Sequence, residues 1–146
     1  MYESCLSKQN QIKALFSACS TEEAKYQKII EMGREMAPLD SLYKIPENKV
    51  QGCQSIMHMR SWMENSALFF HAESEALISS GLAAILIKVY SGETPETILK
   101  CPPQYLEELG LSSSLTPNRA SGLYSIHLRM KQEALKFLIQ TESQKK

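Results

Sequence analysis

The stretch that most constrains this chain is Ala-Leu-Ile-Ser-Ser-Gly-Leu-Ala-Ala-Ile-Leu-Ile-Lys-Val-Tyr, from Ala76 to Tyr90. Wound as a helix it is apolar almost all round, so it needs other elements on every side and belongs at the centre of the fold. Its longest apolar run, Leu82 to Val89, is too short to cross a bilayer and is broken by Lys88. Ser79, Ser80 and Gly81 form a patch of small residues where another backbone can approach. Ser74 reads as the N-cap of this helix, with Glu75 in its first turn, and Gly92 as its end. Everything else in the chain has to supply cover for this core.

The remaining elements read as that cover. A first helix over about residues 7–18 places Ile12, Leu15, Phe16 and Cys19 at helical spacing. Ser20-Thr21-Glu22-Glu23 reads as a capping box, with Ser20 as N-cap, opening a second helix. That helix carries Tyr26, Ile29, Ile30 and Gly33 on one face and stops before Pro38. Residues 39–48 form a loop whose Leu39, Leu42, Tyr43 and Ile45 predict that it lies against the body of the domain.

Residues 56–63 and 67–71 flank Glu64-Asn65-Ser66, which is turn chemistry, and predict an antiparallel hairpin. A short strand over residues 49–51 could add a third member. Helix is the competing reading of the methionine-rich arm. Thr94-Pro95, Pro102-Pro103 and Thr116-Pro117 each mark a helix start. The second of these helices closes at Gly110. The last one places Leu123, Ile126, His127, Met130, Ala134, Phe137 and Leu138 on one side and frays after Gln140. The expected architecture is α+β, with helices packed on one side of a small antiparallel sheet. No repeat or linker divides the chain, so residues 1–146 read as one domain.

Charge and cysteine usage narrow the function. Sixteen basic residues balance sixteen acidic ones, which leaves no electrostatic footprint for nucleic acid or an anionic membrane. The first ten residues lack a basic start followed by an apolar core, so no signal peptide and a cytoplasmic setting are expected. Cys5, Cys19, Cys53 and Cys101 are widely spaced with no Cys-x-x-Cys, which argues against a disulfide framework or a metal site.

One of these thiols stands apart. Cys53 follows Gly52 and lies between the uncharged amides of Gln51 and Gln54. The glycine suits a tight loop that presents the next side chain. A lone cysteine is otherwise an inert small hydrophobe, and on the local pattern both readings stand.

With the residues laid out this way, the chain resembles the SufE family, the sulfur-acceptor partners of cysteine desulfurases in iron–sulfur cluster assembly. The strongest segment is Val50-Gln51-Gly52-Cys53-Gln54-Ser55. Glu73-Ser74-Glu75, Gly81-Leu82, Thr94-Pro95, Leu115-Thr116-Pro117-Asn118-Arg119 and Gly122-Leu123 follow in the family's order. Met57-His58 stands where the family commonly has Val-Trp, Glu73 and Glu75 where it has aspartates, and the hairpin is slightly shortened.

The resemblance implies a SufE/IscU-like α+β fold and a specific chemistry. A desulfurase of the SufS type leaves a persulfide on its own cysteine. Cys53 accepts the outer sulfur and passes it to an iron–sulfur scaffold, with no cofactor, no metal and no small-molecule substrate of its own. Gly52, Gln54, Glu75 and Arg119 are the supporting or partner-facing positions that it implies, and the chain acts as a monomer or homodimer. A scaffold that binds a cluster directly and an interaction module with an inert Cys53 are the rival readings. His58, His71, His127 and Cys101 read as structural or incidental. Glu73 and Glu75 do not form a convincing acid–base pair.

Overall fold

The structure, a computed structural model, describes residues 2–53, 55–111 and 117–144, apart from the side chains of residues 117–121, 143 and 144. Expectations about Gln54, Thr116 and the Arg119 side chain therefore lie outside the described residues.

The helices α1 (Glu3–Phe16) and α2 (Glu22–Arg34) lead into a loop with two short 3-10 turns, Ser41–Tyr43 and Pro46–Asn48. The strands β1 (Met57–Glu64) and β2 (Ala67–Ser74) follow, then α3 (Leu77–Tyr90), α4 (Pro95–Lys100), α5 (Gln104–Glu108) and the long α6 (Pro117–Gln144). The fold is α+β, as the sequence predicts.

The all-round apolar helix is α3, and α1, α2, α6 and β2 all pack against it. Ile78, Leu82, Ala83, Ala84, Ile85, Leu86, Val89 and Tyr90 are buried along it. The small-residue patch brings α2 close. A Cβ added at Gly33 would lie 2.6 Å from the Gly81 nitrogen, and one at Gly81 would meet Ile29 Cγ2 at 2.5 Å. Only glycine at both positions allows this approach.

The hairpin pairs Met57 with Ser74 through to Glu64 with Ala67, and Asn65 and Ser66 take positive φ in the turn. The methionine-rich arm is therefore strand. The period of two decides this, since Met57 and Met59 are buried on the same face of the hairpin as Leu68, Phe70 and Ala72 of β2. Residues 49–51 do not form a third strand and contribute one isolated bridge, Lys49 to His58.

The outer face of the sheet is covered by loop rather than helix. His71 Nε2 hydrogen-bonds Ala37 O at 2.7 Å, Glu73 Oε1 accepts from Leu39 N at 2.9 Å, and Lys44 pairs with Glu73. The Arg60 guanidinium sits 3.9 Å over Tyr43 and 4.3 Å over Trp62, and Trp62 stacks on Phe69. Leu39 is buried, whereas Leu42 is 72% exposed, so the loop is held more by polar contacts than by its leucines.

Several boundaries move. The first helix begins at Glu3 instead of Ser7, and its neighbour is capped by Thr21, whose Oγ1 accepts from Ala24 N at 3.0 Å, instead of Ser20. Cys19 falls past the end of α1 and is half-buried, outside the buried core. Ser74 belongs to β2, and Glu75 precedes α3 instead of lying in its first turn. The helix at Thr94-Pro95 starts as expected, with Thr94 Oγ1 accepting from Thr97 N. The last helix continues to Gln144 rather than fraying at Gln140.

Candidate functional site

The Cys53 loop is closed at its base by one sheet-like contact, Val50 N donating to Met57 O at 2.9 Å. Gly52 stands at φ 89°, a conformation that a side chain strains. Its Cα faces the final helix closely, because an added Cβ would lie 3.1 Å from Ser125 Cβ and closer still to Ser125 Oγ. The loop thus needs glycine directly before the cysteine on two counts.

Each stem of the loop is tied to a helix. On the amino-terminal side, Arg129 of α6 donates to Glu47 O and to Lys49 O, both at 2.7 Å. On the carboxy-terminal side a group of serines does the work. Ser55 Oγ lies 2.8 Å from Ser79 Oγ and 3.2 Å from Ser74 Oγ, and Ser74 Oγ donates to Ile56 O at 3.0 Å. Ser80 Oγ in turn bonds both the nitrogen and the carbonyl of Ser74. Ser74 does cap locally, since its Oγ accepts from Ala76 N, but it forms a turn ahead of the helix instead of the helix N-cap.

Cys53 itself is half-buried and packs against the core. Burial raises its thiol pKa above the ordinary value, so at neutral pH the resting group is a thiol. A shallow cleft of about 170 Å³ lies within the loop, lined by Lys49, Gly52, Cys53, Ser55 and Ile56 among others. That is room for a small thiol-sized group and far less than a drug-sized ligand fills.

Of the other sequence candidates, Gly52 and Cys53 share the loop tip. Glu75 stands by the carboxy-terminal stem, its nitrogen donating to Ile56 O at 3.2 Å and its side chain exposed. Arg119 lies in the first turn of α6, the helix whose Ser125 abuts Gly52. His58 and His71 sit on the outer face of the sheet, where His71 bonds Ala37 O.

Cys101 is 1% exposed and shares the Gln9 amide with Cys5, at 3.6 and 3.8 Å. Burial and the neighbouring Cys101 push the Cys5 thiol up to about 12, which leaves it a poor nucleophile. Among the described residues no group of three or more His, Cys, Asp or Glu side chains could hold a metal ion. No described helix is long and apolar enough to cross a membrane.

Ser55, Ser74, Ser79, Ser80, Ser125 and Arg129 were not singled out as site residues from the sequence. The serine-rich segments on either side of the hairpin were the available signal. Nothing in the sequence marks Arg129, which acts through backbone carbonyls.

Fold and site together define a small α+β protein that presents one cysteine at the tip of an anchored loop. The model of the SufE family, described as an Fe-S metabolism associated domain, matches residues 10–134. A SufE-like protein 1, chloroplastic/mitochondrial, of Arabidopsis thaliana is 35% identical over 136 residues, covering 92% of this chain and 37% of its own length. An uncharacterised SufE-like protein of Synechocystis is 34% identical over 122 residues, covering 84% of this chain and 77% of its own. The solution structure of a hypothetical protein from Thermus thermophilus superposes with a TM-score of 0.72 at 25% identity, covering 90% of this chain and 96% of that one. This chain belongs to the SufE family, and its role lies in iron–sulfur metabolism.

Proposed function

We propose that the chain, read as one domain over residues 1–146, is a sulfur carrier that takes persulfide sulfur from a cysteine desulfurase onto Cys53. The observation that supports this most is the built loop. A glycine-preceded cysteine stands at its tip, both stems are tied to helices, and the thiol is neither in the core nor fully open.

The step balances without an external oxidant. The Cys53 thiol gives up its proton as the loop presents it, and the thiolate attacks the outer sulfur of the desulfurase persulfide. The sulfur–sulfur bond of the donor breaks, the desulfurase cysteine leaves as thiolate, and a new persulfide stands on Cys53. A second exchange passes that sulfur to an iron–sulfur scaffold. The raised pKa fits a resting state that is poorly reactive toward oxidants, with the thiolate generated only when the group leaves its apolar shelter. The chain holds no cofactor of its own in this reading and works in a reducing, cytoplasmic setting. Gly52 shapes the loop, while Gln54, Glu75 and Arg119 face the partner.

The test is desulfurase turnover with and without this chain. Wild type stimulates sulfide release and Cys53→Ser does not. Full stimulation by Cys53→Ser would replace the carrier with an interaction module.

A further inference from the structure

Three polar side chains of α6, four residues apart, follow the cysteine loop and the strand after it. Ser125 abuts Gly52, Arg129 reaches Glu47 O and Lys49 O, and Glu133 Oε1 accepts from Ser61 Oγ of β1 at 2.7 Å. Spacing of four puts all three on one helical face. Glu133 Oε2 lies 3.6 Å from Arg129 Nε, which steadies the guanidinium from the side away from the loop.

Arg129 is the member with the most leverage. Its two terminal nitrogens span two carbonyls of one stem, so a single rigid fork fixes both the position and the direction of the chain entering the loop. Its side chain is 15% exposed, and both contacts are charge-assisted hydrogen bonds at the protein surface. Beyond Arg129, the stem is held on this side by the Val50–Met57 hydrogen bond of the Lys49–His58 bridge.

We propose that Arg129 is a positioning residue whose fork holds the Cys53 loop in its sheltered arrangement and so sets how readily the thiol is presented. Its consequence for sulfur transfer rests on the reading of Cys53 above, whereas presentation of the thiol can be measured with no desulfurase present.

The experiment is alkylation of the native full chain with iodoacetamide, with the modified cysteines mapped by peptide mass spectrometry. Cys5 and Cys101 are buried and report any general loosening of the fold. In Arg129→Met, which loses both donors, Cys53 should react about tenfold faster, the size expected from removing hydrogen bonds of ordinary strength. Cys5 and Cys101 should stay as slow as in wild type. Arg129→Lys keeps the charge as a single point and should give an intermediate Cys53 rate. An unchanged or slower Cys53 rate in Arg129→Met would overturn the proposal. So would a rise matched at Cys5 and Cys101. If Arg129→Met does not fold, Arg129→Lys decides alone, with a selective gain at Cys53 supporting the proposal and its absence refuting it.

Discussion

Ser125 of the final helix fills the space in front of Gly52, so that a Cβ on the glycine would lie 3.1 Å from Ser125 Cβ. The residue before Cys53 is thus constrained by its own φ of 89° and by a neighbour far away in the sequence. Gly52→Ala should cost about 1–3 kcal/mol, because alanine is strained at that φ and must also displace the serine. The cost falls on the loop, so desulfurase stimulation should drop further than thermal stability. Parallel melting and turnover assays check this. A variant with wild-type melting and wild-type stimulation would show that the loop tolerates a side chain there.

His127 gives the fold a pH dependence. Its ring lies 5.3 Å from that of Tyr90, its Nε2 is buried without a hydrogen-bond partner among the described residues, and burial, then Lys131, lowers its pKa to about 4. The unfolded chain titrates near the ordinary 6.5, so between 6.5 and 4 it binds a proton that the native state refuses. Stability is whole above that window and falls as pH drops through it, by on the order of 2–3 kcal/mol. His127→Leu should remove this slope while leaving stability at neutral pH little changed, since an unpartnered buried nitrogen is lost. Urea midpoints at pH 7 and pH 4.5 for both proteins decide it. An equal slope in the two would refute the assignment.

What was legible in the sequence follows from what local pattern can carry. The central helix, the hairpin with its Glu64-Asn65-Ser66 turn and the proline-marked starts depend on periodicity and backbone chemistry written along one segment. The Gly33–Gly81 approach could be half read, since Gly81 marked a close contact without naming its partner. Ser74 was misplaced because a hydroxyl that caps a turn looks the same as one that caps a helix. Cys53 and Gly52 were visible as a motif. The anchors Ser79, Ser125 and Arg129 were not, because each meets the loop through tertiary contacts, Arg129 through carbonyls that every residue has. Leu42 shows the limit of hydropathy in loops, where polar bonds to Glu73 and His71 hold the segment and leave the leucine outside.

The proposal that Arg119 faces a partner can be tested at that residue. It lies in the first turn of α6, where a positive charge opposes the helix dipole and therefore calls for an anionic partner. Arg119→Ala should fold normally, keep a Cys53 thiol that reacts with small reagents, and bind the desulfurase about tenfold to a hundredfold more weakly. Titration calorimetry of the pair measures this. An unchanged dissociation constant with a lowered melting temperature would make Arg119 a structural residue.

The central claim is that Cys53 carries the sulfur. Incubation of the chain with a cysteine desulfurase, pyridoxal phosphate and cysteine, followed by intact-mass spectrometry and peptide mapping, reads it directly. One added sulfur atom is expected on Cys53, removed by a reductant and absent in Cys53→Ser. The same mass mapped to Cys5, Cys19 or Cys101, or retained in Cys53→Ser, would contradict the account.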